Sequence, residues 1–209
     1  MDACSDQNIR EVVVMAGAQL GKSEALLNII GYHIDNDPSP ILCLQPTLEM
    51  AQAFSKDRVA NGLLKSTVCL RGKVKDPRAR DSGNTTLHKL FPGGSLTLVG
   101  ANSPSGLASR PIRLVLCDEV DRYPASAGSE GDPIQLARKR AATFWNRKIV
   151  MVSTPTNKDA SRIEEAFEAS DMRYYNVPCK HCHHEQKLKW SNVQWTDDDP
   201  DTAKYLCDG

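Results

Sequence analysis

A lysine and a hydroxyl at the mouth of a small-residue turn can grip a polyphosphate. This chain offers one such turn, Ala16-Gly17-Ala18-Gln19-Leu20-Gly21-Lys22-Ser23. Before it, Glu11-Val12-Val13-Val14-Met15 is β-branched and reads as a buried strand. After it, residues 24–34, from Glu24 on, carry apolar side chains at helical spacing. Strand, turn and helix together make a phosphate cradle, because amides at a helix start point at the anion and the helix dipole favours its charge. Lys22 would reach the β and γ phosphates, and the Ser23 hydroxyl would take one position on Mg²⁺. The usual spacing G-x-x-x-x-G-K-[ST] wants glycine where this chain has Ala16, with Gly17 one place late. The plain alternative is an ordinary strand-turn-helix with a solvated lysine.

A second segment supplies the acids. Ile112-Arg113-Leu114-Val115-Leu116-Cys117-Asp118-Glu119 is an apolar run ending in two carboxylates. Parallel strands bring their carboxyl ends to one crevice, so these acids are expected to face the loop from an adjoining strand. Asp118 would hold the metal, and Glu119 would orient or deprotonate an attacking water. Charged residues commonly end strands, so the pair gains meaning only beside the Gly-Lys-Ser turn; together they favour ATP hydrolysis. Ser153-Thr154-Pro155-Thr156 follows another apolar run, and its hydroxyls could sense the γ phosphate. An N-cap and turn is the competing reading.

The elements needed to position these groups are legible. A turn cluster over 35–40 ends the first helix, and residues 41–46 read as a second buried strand. Thr47 is a good N-cap for a helix running to about residue 65. Residues 71–84 read as a long polar loop. Residues 85–91 and 95–101 flank Pro92-Gly93-Gly94 as a hairpin, taken as an insertion in the alternating scheme. Helices are expected over 132–144 and 161–169, with a strand over 148–152 between them. Strands alternating with helices imply α/β architecture, a three-layer core around a mainly parallel sheet. The composition shifts toward aromatic, Cys and His residues from Tyr174, so a core over 1–173 and an appendage over 174–209 are expected.

Composition limits the remaining options. The chain has 209 residues, 26 basic and 26 acidic, so no global field draws it to nucleic acid. A local patch is available in Arg71, Lys73, Lys75, Arg78 and Arg80, opposed only by Asp76, with a solvated loop as the commoner explanation. Arg138 and Arg140 could lend charge to a neighbouring site, although surface arginines are far commoner than arginine fingers. No apolar run approaches the roughly 20 residues that span a bilayer, and no signal peptide is visible, so a cytoplasmic setting is expected. Of seven cysteines, Cys43, Cys69 and Cys117 read as buried free thiols. Cys179-x-x-Cys182 is half of a zinc knuckle, with Cys207 a third candidate ligand for Zn²⁺. A histidine among His181, His183 and His184 could substitute for the missing fourth; buried or redox-active thiols are the alternative.

These stretches resemble the ATPase part of the large terminase subunit of lambda-type tailed phages. The resemblance is carried by residues 12–24, by Gly100-Ala101-Asn102-Ser103-Pro104-Ser105-Gly106-Leu107 and by Leu116-Cys117-Asp118-Glu119-Val120-Asp121-Arg122-Tyr123-Pro124. Glu130-Gly131-Asp132-Pro133, Arg147-Lys148-Ile149 and Ser153-Thr154-Pro155 continue it, and the Cys179-Cys182 knuckle fits. It implies a P-loop NTPase of the RecA-like ASCE class that burns ATP with Mg²⁺ to package viral DNA. Residues 16–24 would bind phosphate, Ser23 and Asp118 the metal, Glu119 would be the catalytic acid, and Ser153-Thr154 the coupling motif. The implied partners are double-stranded DNA, the small terminase subunit, the portal protein and other copies in a ring, in the host bacterial cytoplasm. Members of the family are longer and carry an endonuclease domain, so the chain is expected to be a central segment short at both ends. A helicase-like translocase and a non-catalytic prophage remnant are the other readings.

Overall fold

The leucine-, valine- and isoleucine-rich runs are the strands. A computed structural model describes residues 2–79, 82–104, 106, 110–158 and 160–209. Among them are β1 Glu11–Met15, β2 Pro40–Gln45, β3 His88–Phe91, β4 Gly94–Gly100, β5 Leu114–Asp118 and β6 Lys148–Ser153. They form one sheet in the order β1-β6-β5-β2-β4-β3. Every neighbouring pair is parallel except β3 with β4. The central strands β5 and β6 are buried at every position, as expected of parallel strands covered on both faces.

Alternation along β5 shows how the layers arise. Leu114 and Leu116 join one apolar cluster, with Leu26 and Ile30 of helix α2 (Lys22–Asp35) and Ala51 of α3 (Leu48–Ala53). Val115 and Cys117 point to the other, with Ile134 and Ala137 of the helix Pro133–Ala141 and Ile163 of the helix Arg162–Glu168. This is the expected three-layer α/β/α core. Helix starts are fixed by side chains: Thr47 accepts from Met50 N at 3.3 Å, Asp132 from Gln135 N at 2.9 Å and Ser161 from Glu164 N at 3.1 Å.

Several sequence expectations change. The helix begun at Thr47 keeps α-helical turns only to Ala53, then widens to a π-helix over Phe54–Leu64. The hairpin is not an insertion: β4 lies parallel beside β2, and β3 closes that edge of the sheet. Gly94 is required there, because a Cβ would lie 2.5 Å from Ser39 O. Cys43 and Cys117 are buried but Cys69 is exposed, since the short turn Val68–Leu70 gives its inward position to Leu70. Arg80, Ser105 and Leu107 lie outside the described residues.

Residues Asp171–Gly209 form a second compact unit, apart from Met1–Ser170, so the division falls a few residues before Tyr174. Two small antiparallel pairs build it: Asn176–Pro178 with Glu185–Lys187, and Val193–Thr196 with Asp199–Tyr205.

Leu116 is fully buried at the centre of the sheet, whereas Val68 is 76 % exposed. Leu116→Ala should lower unfolding free energy by about 2–5 kcal/mol and Val68→Ala by under about 0.5 kcal/mol, measured by urea denaturation. Equal losses would misplace the core.

Candidate active site

Strand order decides which groups can meet. The acidic strand β5 is not the direct neighbour of β1, as the sequence suggested; β6 lies between them. Met15 pairs with Ser153, and Val152 with Asp118, so the chain leaves all three strands at one edge. The loop after β1, the Ser153-Thr154 hydroxyls and the acids therefore converge, with the hydroxyls in the middle. Ala16 N donates to Ser153 O at 3.2 Å and ties the loop's start to β6.

The loop holds Lys22 in an unusual position for a cation. Gly21 turns left-handed at φ 81° to start α2, which carries Lys22 inward to 7 % exposure. Its Nζ donates to Gly17 O at 2.7 Å and to Thr154 Oγ1 at 2.8 Å, both neutral acceptors. Glu119 Oε1 stands 4.0 Å away, at the outer limit of ion pairing. Gly17, Ala18, Gln19 and Leu20 are exposed, so the cradle opens to solvent. Glu24 faces elsewhere chemically, its carboxylate taken by Arg58 at 2.6 Å.

Asp118 is the mirror image. It is 3 % exposed, and its side-chain partners among the described residues are neutral: Ser23 Oγ at 3.0 Å and 3.3 Å, and Gln45 Nε2 at 3.2 Å. Among the described residues no lysine, arginine or histidine lies within 4.0 Å of it. A buried carboxylate without a counter-charge is costly in a low-dielectric interior, and it suits a cation from outside the chain. Ser23 and Asp118 together present hard oxygens of the kind Mg²⁺ takes. Lys22 likewise suits an external anion.

Glu119 follows in left-handed conformation, φ 54° and ψ 52°. Such a backbone in a glutamate costs of order 1–3 kcal/mol, and here it swings the carboxylate out of the strand direction toward Lys22 and Arg122 (Nε to Oε2 3.7 Å). Two residues on, Asp121 is a junction the sequence reading did not single out. One carboxylate oxygen accepts from Thr156 N at 2.9 Å and Thr156 Oγ1 at 3.0 Å, the other from Ile163 N at 2.8 Å. Its own amide donates to Ser153 Oγ at 3.3 Å. Burial alone would raise the Asp121 carboxyl, and the hydrogen bonds from Ser161, Ile163 and Thr156 outweigh it to hold the group below its ordinary value. Gln45 was also missed; a polar residue ending the apolar strand β2 was the available signal. Buried Tyr123 supports the same turn by donating to Leu44 O at 3.0 Å.

Other singled-out residues have partners of their own. Arg138 pairs with Glu11 at the opposite, amino end of β1, at 2.7 Å. In the basic loop Lys73 is paired with Asp35, and Arg71 Nε donates to Lys65 O at 2.8 Å. In the second unit the sulfurs of Cys179, Cys182 and Cys207 lie within 4.8 Å of one another; no histidine joins that group among the described residues.

Comparison with known proteins gives one family. A family model described as "Phage terminase large subunit gpA, ATPase domain" matches residues 1–209. Two curated relatives, both "Terminase, large subunit", come from Escherichia phage lambda, at 28 % identity, and Enterobacteria phage P21, at 27 %. Each alignment covers 100 % of this chain and 34 % of the relative, so the chain spans about a third of their length. Among solved structures, the large terminase ATPase domain of Thermus phage P74-26 superposes with a TM-score of 0.57 at 18 % identity, over 86 % of this chain and 72 % of that one. The last comparison shows a shared fold.

Asp121→Asn should lower stability at neutral pH by about 1–3 kcal/mol, because an amide nitrogen cannot accept the Thr156 bonds. The folded carboxyl sits below 3.8, so its contribution is present above that value and lost as pH falls through the folded one. Thermal unfolding of the two proteins should therefore converge on acidification. A gap that persists undiminished would assign the junction to other groups.

Proposed function

The chain belongs to the family of ATPase domains of phage terminase large subunits, and on that footing we propose that it hydrolyses Mg²⁺-bound ATP to drive viral DNA into a procapsid. One observation carries this reading. A buried lysine with neutral partners and a buried aspartate with neutral partners sit at one sheet edge, joined through adjacent residues of the same loop. A divalent cation bound to a triphosphate satisfies both deficits at once, which neither a lone anion nor a lone cation does.

Each residue then has a defined task. The exposed stretch Gly17 to Gly21 lets the backbone approach the phosphates, and Lys22 exchanges its carbonyl and hydroxyl partners for phosphate oxygens. Ser23 and Asp118 would hold the ion, with Gln45 fixing the Asp118 carboxylate. The ion, when bound, would supply charge neutralisation for the phosphates. Glu119, 23 % exposed, is within reach of solvent and orients or deprotonates the attacking water. Thr154 loses its lysine partner when phosphate arrives, and Ser153 relays that change through Asp121 to the helix Arg162–Glu168. The intact Lys22, Ser23, Asp118 and Glu119 set favours an active enzyme over a remnant.

We assign this chemistry to the compact unit Met1–Ser170 and treat Asp171–Gly209 as an appended unit. Double-stranded DNA, the small terminase subunit, the portal protein and a ring of identical subunits are the proposed partners, with host cytoplasm as the setting. Endonuclease activity of a complete large subunit is assigned outside these residues.

Glu119→Gln should keep Mg·ATP affinity in calorimetry while turnover falls by about 10²–10⁴-fold, and Lys22→Ala should lose affinity itself. Turnover that survives both changes would remove the mechanism.

A further inference from the structure

Residues Asp171–Gly209 are held together without a hydrophobic core. Among the described residues of this unit, only Gln186 is buried. Its large apolar groups face solvent instead: Tyr175 is 88 % exposed, Trp190 79 % and Leu188 56 %. With its large apolar groups in water, this stretch buries too little surface to offset chain entropy, and a metal, a disulfide or a partner usually supplies the difference in such cases. The aromatic contacts present, Trp190 on Trp195 and Lys187 over the Tyr174 ring, lie at the surface and contribute little.

What converges in place of a core is sulfur. Cys179 and Cys182 sit in the turn joining Asn176–Pro178 to Glu185–Lys187, a turn closed by Cys179 N donating to His184 O at 2.9 Å and His183 N donating to Cys179 O at 3.0 Å. Cys207, 25 residues beyond Cys182, brings its sulfur to 3.5 Å from that of Cys182. Donors are aimed at the sulfurs as well. His181 N reaches Cys179 Sγ at 3.4 Å, and Gly209 N reaches Cys207 Sγ at 3.4 Å. The single buried residue, Gln186, directs its amide to Cys207 Sγ at 3.4 Å. Tetrahedral zinc with bonds of about 2.3 Å sets its sulfurs about 3.8 Å apart, inside the span that these three occupy. A disulfide would use two of the three and would leave the donors at Cys179 unexplained.

We propose that Cys179, Cys182 and Cys207 bind one zinc ion, and that this ion is the core of the 171–209 unit. Three thiolates form as their protons pass to solvent, and the fourth tetrahedral position goes to a water or a group outside the cluster. Zinc suits the set because it is thiophilic, tetrahedral and redox-inert. The ion links a turn near the start of the unit to a residue near position 207, so its loss should release both antiparallel pairs. Hydrolysis residues are not involved, and the proposal stands or falls apart from the ATPase reading.

The full chain, purified under reducing conditions, should carry one equivalent of zinc by elemental analysis. Replacing that zinc with Co²⁺ should give sulfur-to-cobalt charge-transfer absorption. The triple variant Cys179→Ser, Cys182→Ser, Cys207→Ser should lose both signals while Mg·ATP affinity is unchanged. Chelation should expose residues 171–209 to protease while residues 1–170 stay protected. Zinc-free protein that gives no cobalt absorption, protease resistance indifferent to chelator, or a Cys182–Cys207 disulfide beside a free Cys179 would each overturn the proposal.

Discussion

Two buried charges of opposite sign, neither given a close counter-ion among the described residues, govern this molecule. Lys22 is satisfied by a carbonyl and a hydroxyl, Asp118 by a hydroxyl and an amide. Neutral partners keep both groups hydrogen-bonded, which avoids the full penalty of burial, yet leave their fields uncancelled. Evolution could have stabilised the fold by pairing them directly; among the described residues the nearest acid to Lys22 is Glu119, at 4.0 Å. The sheet order follows from the same need. With β6 inserted between β1 and β5, the width of one strand separates the lysine loop from the acids, and Thr154 fills the gap.

Strain and rigidity around the site serve this separation. Glu119 turns out of β5 through a left-handed backbone, and the chain then folds straight into the short helix Val120–Arg122. Asp121 clamps that helix to Thr156 and to the start of the helix Arg162–Glu168, while Tyr123 anchors it to β2. A change at the Thr154 hydroxyl therefore has a short hydrogen-bonded route to the helix on the far side of β6.

Much of this was readable from residues alone, because local chemistry announces itself. The β-branched run 11–15, the small-residue turn and the 118–119 acids each carry their own periodicity or type. Topology was harder. Nothing in residues 114–118 says that β6 rather than β1 lies next to them, since that choice is made by packing of helices on both faces. Nor does the hairpin's sequence reveal that β4 continues the parallel sheet; only the match of Leu96, Leu98 and Val99 to both core clusters settles it. Asp121 and Gln45 went unnoticed for a related reason. Their partners lie 35 and 73 residues away, beyond any spacing rule.

The two units reach stability by different physics. Residues 1–170 bury apolar side chains on both faces of a sheet, whereas 171–209 leave theirs in water and gather thiols. The proposed nucleotide chemistry is assigned to the first alone. Its central claim is that Ser23 and Asp118 act on one metal ion, and a double-mutant cycle tests it most directly. Affinity for Mg·ATP should be measured by calorimetry for Ser23→Ala, Asp118→Asn and the double variant. The losses should be strongly non-additive, with a coupling of about 0.5–3 kcal/mol that vanishes when Mg²⁺ is withheld. Strictly additive losses, or coupling indifferent to Mg²⁺, would contradict it.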